Sequence, residues 1–109
     1  MYEYKAFITR VVDGDTVDCK IDVGFDISVA KRVRLFGIDA PETRTRDLDE
    51  KAKGLAAKDW LESRILNQYV IIKTEVHTGK FGRVLGTIWH DGVNLNDLML
   101  EEDLVALYE

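Results

Sequence analysis

The segment Tyr4-Lys5-Ala6-Phe7-Ile8-Thr9-Arg10-Val11-Val12-Asp13-Gly14-Asp15-Thr16-Val17-Asp18-Cys19-Lys20-Ile21-Asp22-Val23 decides the architecture. In its second half Val17, Cys19, Ile21 and Val23 alternate with Thr16, Asp18, Lys20 and Asp22. A period of two puts one set of side chains on a buried face and the other in water, the mark of a strand. The first half is rich in β-formers (Tyr4, Phe7, Ile8, Val11, Val12), and Asp13-Gly14-Asp15 between the halves is a turn signal. The two halves read as a hairpin.

Working outward, residues 24–28 form another turn and residues 30–38 a third strand. Pro41 ends that strand, because proline lacks a donor and restricts Ala40 before it. Residues 43–48 are charged and loop-like. Ala, Leu, Lys and Glu then dominate residues 49–66, which predicts a helix packed over much of its girth, although Gly54 inside it costs about 1 kcal/mol relative to Ala. Strands follow at residues 69–76 and 83–89, joined by His77-Thr78-Gly79-Lys80-Phe81-Gly82. After the Asp91-Gly92 turn, Asn94 and Asp97 resemble a capping pair for a short helix over residues 95–102. Three strands, a helix, two strands and a helix make an α+β order. The expectation is one domain over residues 1–109, a five-stranded, partly closed OB-fold-like β-barrel with helices against it.

Composition bounds the function. The chain has 109 residues, 46% hydrophobic and 32% charged, so it is an ordinary globular chain. Its formal net charge is −5, but Asp91 to Glu109 holds six acids and no Lys or Arg, leaving the first ninety residues at +1. An acidic balance of this kind does not exclude a polyanionic ligand near the remainder. A single cysteine, Cys19, rules out an internal disulfide or a thiolate zinc cluster, and on its strand's apolar face it should be inert. No apolar run approaches the roughly 20 residues that span a bilayer. The opening residues lack a secretory pattern, so the expected location is cytoplasmic, or secreted if the native chain begins upstream.

The chemistry-bearing candidates are acids on stiff turns and arginines on strands. Asp15 lies in the Asp13-Gly14-Asp15-Thr16 turn, and Asp39 and Glu42 flank Pro41. Carboxylates there can converge because backbone fixes them, and a hard cation needs several oxygens. Arg34 shares a strand face with Arg32, and Arg83 follows Gly82; an arginine fork can grip phosphate. Singly, each acid reads as a solvated turn residue, Arg32 as a solvated surface residue, and Arg34 or Arg83 equally as a surface ion pair. His77 and His90 read as turn histidines, and Trp60 and Trp89 as core.

Three blocks taken together, in order and at matching spacing, carry more. Val12-Asp13-Gly14-Asp15-Thr16-Val17, Arg34-Leu35-Phe36-Gly37-Ile38-Asp39-Ala40-Pro41-Glu42-Thr43 and Lys80-Phe81-Gly82-Arg83 resemble the staphylococcal nuclease (thermonuclease-like) family, as does Val93-Asn94-Leu95-Asn96. The resemblance implies a calcium-dependent, sequence-nonspecific endonuclease acting on single-stranded DNA and RNA and leaving 3′ phosphates. It assigns Asp15, Asp39 and the Ala40 carbonyl to calcium, Glu42 to the attacking water, and Arg34 and Arg83 to the scissile phosphate. Lys80, Phe81 and Tyr108 would contact substrate. The protein is expected to be a monomer.

Several positions depart from the family pattern. Ala40 replaces a threonine of which only the carbonyl is needed, and Phe81 replaces a tyrosine that binds a terminal phosphate. Asp103 stands where glycine is common after the short helix, a position that suits a left-handed backbone. The chain ends near Tyr108 without the further C-terminal helix of the staphylococcal enzyme, which implies lower stability. The acidic end implies weaker, more salt-sensitive nucleic-acid affinity. Two other readings remain at this level: a catalytically silent OB-type module binding nucleic acid or protein, and a phosphodiesterase for small nucleotides. Carboxylates alone would also accept manganese or magnesium.

Overall fold

The computed structural model describes residues 2–74 and 84–108. Strands β1 (Tyr2–Asp13) and β2 (Thr16–Asp22) form the expected antiparallel hairpin. The ladder pairs Ile8 with Cys19 but Arg10 with Asp18, so Thr9 is an extra residue in β1. That bulge re-phases the strand and lets Ala6, Ile8 and then Val11 all point inward, which a strict period of two forbids. It also marks a division of labour in this 12-residue strand: residues 2–7 pair with β5 and residues 6–13 with β2.

Strand β3 (Ser28–Leu35) pairs with β2, β5 (Tyr69–Thr74) with β1, and β6 (Val84–His90) with β5, all antiparallel. A parallel pairing of β3 with β6, from Val33–Val84 to Leu35–Gly86, then joins the two ends of the sheet. The result is a closed five-stranded barrel. Closure goes beyond the partly closed barrel expected from sequence, and it leaves no long unpaired edge among these strands.

The third strand stops at Leu35, three residues earlier than expected. Gly37 turns the chain with φ +81°, a conformation open to glycine. The two-residue strand β4 (Ile38–Asp39) then leaves the barrel and pairs with β8 (Ala106–Leu107). Helix α1 (Leu48–Ile65) starts at Asp47, whose carboxylate accepts from the Asp49 and Glu50 amides at 3.0 and 3.2 Å. Its buried stripe is narrower than composition implied: Gly54, Ala57, Leu61 and Ile65 are buried, while Leu48 and Leu55 are exposed.

After β7 (Val93–Asn94), the Asn94 side chain caps helix α2 (Leu95–Glu101) by accepting from the Asp97 amide at 3.2 Å. The helix ends with Asp103 at φ +57°, its N–H donating to the Leu100 carbonyl and that of Leu104 to Met99. This is the left-handed stop anticipated for that position. The core consists of strand residues such as Ile8, Val17, Val33, Ile72 and Ile88, sealed by Leu61, Ile65 and Met99 from the helices. Trp60 packs against the core margin and Trp89 is half-buried, neither being the core residue expected, and each lies under a cation: Arg64 is 4.1 Å from the Trp60 ring and Lys73 3.9 Å from the Trp89 ring. Among the described residues no helix is long and apolar enough to cross a membrane.

Candidate active site

The β2–β3 ladder, which pairs Thr16 with Arg34, and the turn at Gly37 bring the first hairpin turn, the end of β3 and β4 to one place. Asp15 is 8% exposed, and both of its carboxylate oxygens are hydrogen-bonded. The Thr16 hydroxyl donates to Oδ1 at 2.8 Å and the Ala40 amide to Oδ2 at 2.8 Å. Arg34 Nη1 stands 3.1 Å from the same Oδ2 and also donates to the Asp15 carbonyl at 3.3 Å. The Leu35 amide donates to that carbonyl at 2.8 Å. A carboxylate held by two hydrogen-bond donors and a guanidinium is rigid, because any departure strands buried partners.

Arg34 then reaches the second acid: its Nη2 lies 3.4 Å from Asp39 Oδ1. The Arg34 side chain is 18% exposed and that of Asp39 is 58% exposed. The ring of Tyr108 stands 5.8 Å from the guanidinium, and the Tyr108 amide donates to the Gly37 carbonyl at 2.9 Å. Two carboxylates therefore share one cation, a local excess of negative charge open to solvent on the Asp39 side. Carboxylate oxygens, with the Ala40 carbonyl beside them in sequence, are the donor chemistry that suits a hard divalent ion. Among the described residues no three His, Cys, Asp or Glu side chains gather into a metal cluster, so an ion at this pair would need backbone and water for its further ligands.

Glu42 is exposed and stands apart from that pair. It lines a cleft of about 550 Å³ with Asp13, Thr16, Arg32, Thr43 and Arg44. Thr16 links the two places, since it borders this cleft and donates to Asp15. On the other side of Asp39 a second cleft, of about 440 Å³, is lined by Asp47, Asp49, Glu50 and Asp103 with Lys53 as its cation. Arg83, Lys80, Phe81 and His77 lie outside the described residues.

Other polar groups sort by environment. Arg32 makes a two-pronged pair with Asp18 at 2.8 and 3.1 Å, as expected of a surface residue. Its hydrogen bond holds the Asp18 carboxyl below the usual range. Burial pushes the Cys19 thiol up to about 12, so it stays protonated and inert. Sequence reasoning placed Asn96 in a family-like block and gave it no structural role, yet it is buried and ties three elements together. Its amide donates to the Phe36 carbonyl at 2.9 Å and the Gly86 carbonyl at 3.3 Å, and its oxygen accepts from Ile88 at 3.2 Å. It thereby pins the turn that follows Arg34. An asparagine on the otherwise apolar inner face of a short helix was the available signal.

Comparison with known proteins places this geometry in a family. The staphylococcal nuclease homologue model matches residues 32–109. The chain is 36% identical over 87 residues to protein ParB of Escherichia coli, covering 80% of this chain and 42% of that protein. It is 31% identical over 103 residues to an uncharacterized endonuclease of Escherichia coli, covering 94% and 60% respectively. With the thermonuclease of Staphylococcus intermedius it shares 33% over 98 residues, 89% of this chain and 55% of the other. It thus spans between two-fifths and three-fifths of the length of these relatives. With a matched segment that carries Arg34, Asp39 and Glu42, and a β2–β3 ladder that sets Asp15 beside Arg34, this chain belongs to the staphylococcal nuclease homologue family.

Proposed function

We propose that this chain hydrolyses phosphodiester bonds in nucleic acid as a calcium-dependent, sequence-nonspecific endonuclease acting on DNA and RNA. The observation that carries this reading is the convergence of Asp15 and Asp39 on Arg34, in a chain related to a thermonuclease and an endonuclease. Asp15, Asp39 and the Ala40 carbonyl would hold the ion, which when bound supplies positive charge against the phosphate. Arg34 and Arg83 would bind the scissile phosphate with their planar donor forks. A phosphodiester is already anionic, so charge developing on its oxygens sets much of the barrier, and preorganised cations offset it. Glu42 would take a proton from the attacking water. The new P–O bond forms as the bond from phosphorus to the 5′ oxygen breaks; that oxygen leaves as a hydroxyl once protonated, and the phosphate stays on the 3′ end.

Approach of a polyanion is favoured from the Glu42 cleft, where Arg32 and Arg44 stand, over the acidic cleft beyond Asp39. A silent binding module has no comparable support, since it needs no buried carboxylate-arginine pair beside an exposed one. The test is cleavage of a labelled single-stranded DNA with calcium and with chelator, alongside Glu42→Ala. Cutting that stops in chelator and falls by about 10²-fold or more in the variant is the expected result. A folded protein that cuts nothing with calcium, manganese or magnesium would return the binding module.

A further inference from the structure

Glu42 is exposed, yet a general base must be placed to within a fraction of an ångström. What holds it is visible on both sides of its loop. On one side lies α1 at Gly54. A Cβ built there would stand 2.6 Å from the Pro41 carbonyl oxygen, 2.8 Å from the Glu42 carbonyl oxygen and 2.9 Å from the Glu42 carbonyl carbon. All three are backbone atoms, so no side chain can swing away to make room. On the other side the Thr43 hydroxyl donates to Asp13 Oδ1 at 3.0 Å, tying the loop to the end of β1. The same helix seats the first acidic turn one turn further on: a Cβ at Gly14 would lie 2.8 Å from the Ala57 Cβ and 3.1 Å from that of Ala40.

We infer that Gly54, with the Thr43–Asp13 hydrogen bond, is a positioning residue that fixes the Pro41–Glu42 backbone and so the reach of the Glu42 carboxylate. This rests on the proposed hydrolytic reading. It also explains a glycine inside a helix that propensity alone disfavours: the helix gives up its side chain so that the loop can lie directly on its backbone. Any larger residue makes the loop withdraw by roughly half an ångström or more to regain normal contact.

The experiment compares Gly54→Ala with the parent chain on the labelled single-stranded DNA with calcium. The expected result is a loss in kcat of about 10- to 100-fold with KM changed less than threefold. In a Glu42→Ala background the same change should alter kcat/KM less than twofold, because the group it positions is gone. Thr43→Val gives a second route that leaves the helix untouched: it should lower kcat, and Thr43→Ser, which keeps the donor, should restore it. Backbone amide NMR shifts supply a readout independent of turnover, with Gly54→Ala moving Glu42 and Thr43 and leaving Val17 and Ile88 in place. Should Gly54→Ala cut at the parental rate, or slow the Glu42→Ala protein as much as it slows the parent, the positioning role is overturned. A parent chain that does not cut overturns the hydrolytic reading instead, and unmoved amides at Glu42 and Thr43 then overturn the placement as well.

Discussion

Arg32 and Arg34 sit two residues apart on one face of β3, and each has an aspartate partner from the first hairpin, yet they do different things. Arg32 meets Asp18 across the ladder with a side chain 48% exposed, in a tidy two-pronged pair. Arg34 is 18% exposed and divides its guanidinium among Asp15, Asp39 and two carbonyls. By hydrogen-bond geometry the first pair is the better one, with contacts of 2.8 and 3.1 Å against 3.1 and 3.4 Å. Its surroundings make it the less consequential. Water competes for both partners of the Arg32 pair, whereas Asp15 has been removed from water and depends on what the fold supplies. A good surface pair reports little; a shared, imperfect, half-buried one marks where a ligand's charge can enter.

The comparison is most sharply tested by making the same change at both arginines. Arg34→Lys should cut cleavage of single-stranded DNA by about 10²–10³-fold, because a point charge cannot serve two acids and a phosphate at once. Arg32→Lys should stay within about twofold. Equal losses at the two positions would dissolve the distinction. The acids come next. Asp15→Ala strands the Ala40 amide and the Arg34 guanidinium, so chemical denaturation should show a loss of about 1–3 kcal/mol. Asp18→Ala should cost clearly less in the same measurement, because water stands in for its partner.

A smaller effect belongs to the segment that brings Tyr108 over Arg34. Asp103 at φ +57° turns the chain toward β8, and Asp103→Gly relieves a backbone conformation that L-residues disfavour. A gain of about 0.5–1 kcal/mol in thermal unfolding is expected, with cleavage retained. Smallest is the pH response of the surface pair. Asp18 has its folded value lowered, chiefly by the Arg32 hydrogen bond. Its contribution is therefore present above the unfolded carboxylate value of roughly 4 and is lost as pH falls through the lower folded value. The difference in melting temperature between the parent and Asp18→Asn should shrink toward zero across that acidic window; a difference that grows there would reverse the assignment.

Much of this architecture was legible before any coordinates, and the parts that were not share a cause. The alternation from Thr16 to Val23, the Asp13-Gly14-Asp15 turn and the Asn94 cap are local events, and each lies where local chemistry places it. The premature end of β3 was missed because Phe36 and Gly37 continue an apolar stretch, and only the pairing of β4 with β8 shows that the chain has left the barrel. The site was legible as residues and not as relations. Asp15, Arg34 and Asp39 stood out by their motifs, whereas the opening of Glu42 onto the Arg32–Arg44 cleft did not. Asn96 and Gly54 were read as helix residues of no special role, since their partners lie far along the chain.

By itself the sequence determined the main order of strands and helices, the inward set of side chains on β2 and the candidates Asp15, Arg34 and Asp39. Periodicity, turn chemistry and capping act over a few residues, so they are written where they operate. Tertiary structure alone decided that the barrel closes through β3 and β6, which of two like arginines is drawn from water, and why a helix needs Gly54. Those outcomes depend on which backbones approach within a few ångströms across long stretches of chain. Close packing fixes such distances, and no local pattern encodes them.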